Sequence, residues 1–139
     1  MAESIDDPAN PNEPQVWIGL AESKLEHARL IFRLGLYDDA ISAAYYAMYY
    51  AAKAALLTEG LDLRKHSSAV LKLRELFVLT GKLDAEYLRL LSRVQTARER
   101  SDYNPLNPAS KEDAAEVLKM ASSFIARIKE IIARKNSVS

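Results

Sequence analysis

The side chain best placed for chemistry is Arg98, a cation at a position where the helical pattern calls for an apolar residue. The apolar residues that precede it recur at spacings of four and three: Tyr87, Leu91 and Val94. A guanidinium on such a face is costly unless an acid or another anion pairs with it. Asp102 lies one helical turn later and Tyr103 follows it, so a carboxylate and a phenol can gather around the same cation. The group predicts either a phosphate-binding site or an Arg98–Asp102 ion pair that fastens the end of the helix.

Histidine and tyrosine side chains supply the other candidate groups. The imidazole of His66 titrates near neutral pH, so it either acts as a general acid or base or simply caps a helix. Tyr45 and Tyr49 belong to the run AISAAYYAMYYAAKAALL, in which aromatic rings either stack on nucleobases or fill a core or an interface. Because the chain has no cysteine and two histidines, we predict neither a metal site nor a cofactor.

The charges are balanced overall but unevenly placed along the chain. A net charge of zero argues against binding of duplex nucleic acid through bulk electrostatics. Residues 64–100 nevertheless carry nine Lys/Arg against four Asp/Glu, which leaves room for a local basic surface. The acidic N-terminal residues do not resemble a signal peptide, and no apolar run reaches membrane-spanning length. We therefore predict a cytoplasmic protein without a membrane segment.

Hydrophobic periodicity predicts five helices and no strand. The predicted helices are Pro14 to about Leu34, about Tyr37 to Glu59, His66–Ser68 to just before Gly81, about Ala85 to Ser101, and a last helix that begins at Ser110. Short connections imply an all-α, up-and-down antiparallel bundle of four to five helices. We expect one domain over residues 13–135, between a flexible leader (1–12) and a flexible tail (136–139).

The second predicted helix is apolar almost all the way round. Such a helix belongs at the centre of a bundle or between two protomers, and its alanines permit close approach of neighbouring helices. Because so much apolar surface needs cover, we predict a homodimer. Ser110 and Asp113 resemble a capping box at the start of the last helix.

Taken in order, four segments resemble the HEPN family (higher eukaryotes and prokaryotes nucleotide-binding domain). They are the tyrosine–alanine helix within Arg33–Leu57, KHSSAV around His66, FVLTG at Phe77–Gly81 and RERSDY at Arg98–Tyr103. The likeness covers about residues 15 to 135. Within the family, the sequence is most similar to small stand-alone prokaryotic HEPN proteins with an Arg-x-x-x-Asp-Tyr pattern.

This resemblance implies a dimeric helical bundle that is often encoded beside a minimal nucleotidyltransferase in a toxin–antitoxin-like pair. It also implies metal-independent RNA cleavage for members in which histidine follows an arginine after four to six intervening residues. Arg98 matches that arginine, but Tyr103 stands five residues on and no histidine follows Arg98. The resemblance therefore favours an RNA- or nucleotide-binding module. The alternatives are a metal-independent endoribonuclease that uses Arg98 with His66 or Tyr103, and a helical protein-interaction module without a ligand.

Overall fold

Five helices make up the part of the chain that the structure describes. This computed structural model describes residues 13–62, 68–103 and 106–138. The helices are α1 (Pro14–Arg33), α2 (Tyr37–Leu57), α3 (Ser68–Leu73), α4 (Ala85–Tyr103) and α5 (Lys111–Val138), and α3 continues into a π-helical turn over Arg74–Val78. These ranges contain no strand, which confirms the predicted all-α class. The predicted leader (1–12) and His66 lie outside the described residues.

Contacts near the helix ends show the direction in which each helix runs. Trp17 near the start of α1 packs on Tyr50 near the end of α2, with ring centroids 5.6 Å apart. Glu59, just past α2, accepts hydrogen bonds from Lys82 before α4 at 2.8 Å and from Lys135 near the end of α5 at 3.0 Å. The starts of α1 and α4 and the ends of α2 and α5 therefore meet at one end of the molecule. The predicted up-and-down antiparallel bundle is confirmed.

Helix α2 occupies the centre of this bundle. Thirteen of its 21 residues are buried, and it packs against α1, α4, α5 and α3. Eight of the thirteen are alanines, whose small side chains let the neighbouring backbones approach closely: Ala40, Ala43, Ala44, Ala47, Ala51, Ala52, Ala54 and Ala55. One stripe of α2 stays half-buried and consists of Ser42, Tyr46, Tyr50, Lys53 and Leu57. The single chain therefore covers most of α2 by itself.

Two helix boundaries differ from those predicted. Helix α4 continues past Ser101 to Tyr103, which lies two residues before Pro105 and so escapes the restriction that proline places on the residue just before it. Helix α5 extends to Val138, so residues 136–138 of the predicted tail are helical. Neither glycine nor proline interrupts α5, and Lys135 donates a hydrogen bond to the Thr58 carbonyl oxygen at 2.5 Å.

The predicted capping box at the start of α5 is present. The Ser110 hydroxyl oxygen accepts a hydrogen bond from the Asp113 N–H at 3.0 Å, and the Asp113 carboxylate accepts one from the Ser110 N–H at 3.3 Å. The two bonds satisfy backbone donors that the first helical turn would otherwise leave unpaired.

The Glu59 ion pairs predict a loss of stability in acid. Hydrogen bonds from Lys82 and Lys135 lower the pKa of Glu59 below its ordinary value of 4.5. A carboxyl group whose pKa is lowered by folding stabilises the fold fully when the pH is above its unfolded-state pKa. This contribution is lost as the pH falls through its folded-state pKa. We expect Glu59→Gln to lower the free energy of unfolding by about 1 kcal/mol at neutral pH, with the difference lost in acid as the pH falls through the lowered pKa of Glu59.

Urea unfolding measured from neutral to acid pH tests the Glu59 prediction. Glu75→Gln is the control, because Glu75 makes one exposed ion pair, to Lys72 at 3.4 Å. It should change stability by less than about 0.5 kcal/mol. Equal effects of the two substitutions would show that the two ion pairs of Glu59 stabilise the fold no more than the single exposed ion pair of Glu75.

Candidate phosphate-binding site

Arg98 lies on the side of α4 that faces α2. Its Nη2 donates a hydrogen bond to the Tyr46 hydroxyl at 3.3 Å and lies 3.5 Å from Oδ2 of Asp102, one turn later on α4. Its guanidinium carbon lies 5.2 Å from the centroid of the Tyr45 ring and 5.3 Å from that of Tyr46. One phenol, one carboxylate and two aromatic rings therefore hold the cation in place.

The guanidinium is partly open to solvent and its hydrogen bonding is incomplete. One quarter of the Arg98 side chain (25%) is exposed. Its Nε is buried and has no hydrogen-bond partner within the described part of the chain. A buried donor left unpaired costs about 1–3 kcal/mol. The 3.5 Å separation from Asp102 also exceeds the roughly 2.7–2.9 Å of a strong charge-assisted bond, so the cation can still bind another anion.

Tyr45 and Tyr49 are part of the hydrophobic core. Their exposed fractions are 1% and 8%, which leaves no ring face on which a nucleobase could stack in this conformation. Burial raises the pKa of Tyr45 to about 12, against a partly opposing effect of the Arg98 charge, and burial also raises the pKa of Tyr49. Both phenols therefore stay neutral at physiological pH. The ring of Tyr45 contacts the guanidinium, so any part that it takes is in supporting Arg98.

Tyr46 is the residue that sequence reasoning left out of the site. It accepts the hydrogen bond from Arg98 and is half-buried, at the edge of the core. The signal for it lies in the spacing of the polar atoms on α2. Ser42, Tyr46, Tyr50 and Lys53 recur at steps of four, four and three residues, which places them on one stripe of the helix. Because the rest of α2 is almost entirely apolar, this stripe is the one expected to reach solvent.

Two predicted site residues are not placed beside Arg98. His66 lies outside the described residues. Tyr103 is the last residue of α4, and its side chain is outside what the structure describes. The residues that the structure brings together are Arg98, Asp102, Tyr45 and Tyr46.

Neither a metal site nor a membrane-spanning helix is found among the described residues. Over 13–62, 68–103 and 106–138, no three His, Cys, Asp or Glu side chains come together as a metal site. In the same ranges no helix is both long enough and apolar enough to cross a membrane.

The chain belongs to the HEPN family, since the model of the HEPN domain matches residues 14–131. The match confirms the family predicted from the four sequence segments. It spans all of α1 to α4 and most of α5.

Two relatives show how far the sequence similarity extends. The chain is 34% identical over 120 residues to "Putative toxin MJ0605" of Methanocaldococcus jannaschii, covering 86% of this chain and 89% of the relative. It is 36% identical over 121 residues to a UPF0332 protein of Archaeoglobus fulgidus, covering 87% and 96%.

Two solved structures share the fold. One is TT1696 from Thermus thermophilus, with a TM-score of 0.72 and 24% identity over 86% of this chain and 98% of that one. The other is ST0689, an archaeal HEPN homologue, with a TM-score of 0.67 at the same identity and coverage. At this level of identity the likeness establishes the fold alone.

Proposed function

We propose that the protein is the toxin-like component of a two-protein system and that it binds RNA or a nucleotide through Arg98. The observation that carries this proposal is the guanidinium of Arg98, whose side chain is one quarter exposed and whose contact with Asp102 is long, at 3.5 Å. The name of the relative from Methanocaldococcus jannaschii supports the toxin-like part of the proposal.

Phosphate is the ligand that best fits Arg98. A guanidinium presents a planar fork of donors that can bind two phosphate oxygens at once. The rings of Tyr45 and Tyr46 restrict its orientation, so less side-chain freedom is lost when the anion binds. Asp102 neutralises the cation while the site is empty, and its long contact at 3.5 Å is the one that a phosphate would replace.

The proposal includes two protein partners, a second copy of the chain and a minimal nucleotidyltransferase. The nucleotidyltransferase follows from the family resemblance. The second copy follows from the same resemblance, which implies a dimeric bundle. Sedimentation of the purified chain tests the homodimer, and a monomer at all concentrations would contradict it.

The binding proposal is tested with fluorescently labelled single-stranded RNA. Affinity for RNA should fall as salt concentration rises, since phosphate contacts release counterions. If RNA did not bind, or bound with an affinity insensitive to salt, the result would favour the alternative function of a helical protein-interaction module without a ligand. The same RNA incubated with EDTA tests for cleavage. Cleavage that depends on Arg98 would establish the metal-independent endoribonuclease instead.

Tyr46→Phe tests whether the phenol positions Arg98 for binding. This substitution removes the acceptor of the 3.3 Å bond and keeps the ring under the guanidinium. We expect RNA affinity to fall about threefold to tenfold, the effect of losing one hydrogen bond of ordinary strength that orients the guanidinium, while the melting temperature stays within a few degrees. Tyr50→Phe is the matched control, one turn further along α2 and packed on Trp17. Equal affinities for both variants would show that Tyr46 does not position Arg98.

A further inference from the structure

A groove of about 430 Å³ lies between α4 and α5, away from Arg98. Arg93 and Arg100 line it from α4, and Ile41 of α2 contributes to its lining. Arg93 and Arg100 are seven residues apart and share one face of α4, whereas Arg98 lies about 140° round the helix from Arg93. The groove is therefore separate from the Arg98 site.

Its charged side chains face each other without making ion pairs. Glu116 and Asp113 line the groove from α5, opposite the arginines of α4. Among the described residues, neither Arg93 nor Arg100 has a carboxylate within the 4.0 Å of an ion pair, and Glu116 has no basic partner. Many other charged residues of the bundle are paired, including Glu22 with Lys129 across α1 and α5. The packing thus keeps opposite charges apart across an open space.

The two ends of the groove differ in charge. Helices α4 and α5 run antiparallel, so the Arg93 end lies away from the start of α5, where Asp113 and Glu116 stand. Hydroxyls of Ser92 and Thr96 flank Arg93, and Arg89 lines the adjoining hollow together with Ser92. One end therefore presents Arg93 with hydroxyl donors, and the other presents the two carboxylates together with Arg100, near the end of α4.

The floor and the size of the groove suit a small ligand. Apolar side chains separate the two charged ends: Ile41, Ala97, Val117 and Met120. Binding sites for small molecules commonly measure about 300–1,000 Å³ and combine an apolar lining with a few polar groups. At about 430 Å³ the groove lies at the lower end of that range.

We propose that this groove binds a small phosphorylated metabolite whose other end carries hydrogen-bond donors, as a sugar phosphate or a nucleoside monophosphate does. The phosphate lies against Arg93 with the Ser92 and Thr96 hydroxyls. The hydroxyl or amino groups at the other end donate to Glu116. Asp113 takes a smaller part, because its carboxylate already accepts the Ser110 N–H.

Isothermal titration with ribose 5-phosphate, AMP and inorganic phosphate tests the site. Arg93→Ala should weaken binding of ribose 5-phosphate and AMP roughly tenfold or more through the loss of charge-assisted hydrogen bonds. Arg134→Ala, a change at an exposed arginine near the end of α5, should leave it unchanged. Arg98→Ala should also leave binding of ribose 5-phosphate unchanged, which separates this site from the proposed RNA or nucleotide site at Arg98.

Glu116→Gln tests the other end of the ligand. It should weaken binding of ribose 5-phosphate and AMP and leave the weaker binding of inorganic phosphate unchanged or improved, because a repelling charge is removed. The site would be overturned if none of the three compounds bound in the millimolar range, or if Arg98→Ala abolished binding and Arg93→Ala did not. The ligand class would be overturned if inorganic phosphate bound as tightly as AMP.

Discussion

Arg98→Ala is expected to weaken RNA binding roughly tenfold or more while the protein stays folded. The substitution removes a cation that two tyrosine rings hold in place and whose side chain is one quarter exposed to an incoming anion. The plot of log affinity against log salt should become shallower by about one, as expected when one phosphate contact is lost. Fluorescence anisotropy over a range of salt concentrations measures both quantities.

Two further variants make the Arg98 measurement specific. Arg98→Lys keeps the charge but loses the fork of donors, so it should recover the salt dependence and only part of the affinity. Arg134→Ala removes an exposed arginine far along α5 and should leave both quantities nearly unchanged. If Arg98→Ala and Arg134→Ala behaved alike, RNA binding would be a property of the general surface charge, and the proposed site would be wrong.

Phe124→Ala is expected to have the largest effect on stability, lowering the free energy of unfolding by about 3–5 kcal/mol. Phe124 is fully buried on α5, which packs against α2, α1 and α4. Its loss removes apolar contacts and leaves a cavity in a close-packed core, and the short alanine side chains of the central helix cannot reorient to fill such a space. Urea unfolding followed by circular dichroism gives the value.

Leu30→Ala provides the comparison for Phe124→Ala. Leu30 is on α1 and more than half of its side chain is exposed, so its truncation should cost less than about 0.5 kcal/mol. If Phe124→Ala lowered the free energy of unfolding by less than about 1 kcal/mol, the core around Phe124 would be packed less tightly than the structure shows.

Most of the fold could be predicted because its signals are local. Gly35 and Gly60 follow the ends of α1 and α2 with φ near +80°, a conformation that favours glycine, and the Ser110–Asp113 capping box depends on residues three apart. The length of α5 was predicted less well, because the contacts of Lys135 with Thr58 and Glu59 join residues distant in sequence.

The candidate site could be predicted only in part for the same reason. Arg98 and Asp102 are one turn apart on a single helix, so their pairing follows from spacing. The contact of Arg98 with Tyr46 depends on how α4 is positioned along α2, and no local pattern specifies that. The charged side chains of the α4–α5 groove are likewise exposed residues of two helices, for which hydrophobic periodicity carries no information.

The π-helical turn at Arg74–Val78 has a consequence for the alignment of α3 with the core. Ala69, Leu73 and Phe77 are all buried, although they follow one another at steps of four residues. Each such step in an α-helix overshoots a full turn by about 40°, so a continuous α-helix would carry the third side chain well round the axis from the first. The wider turn winds more slowly and returns Phe77 to the line of Ala69. With one residue fewer between Leu73 and Phe77, the three side chains would follow one another at steps of four and three, which an ordinary α-helix keeps on one face. The wider turn therefore accommodates one extra residue without turning the aromatic ring away from the interior.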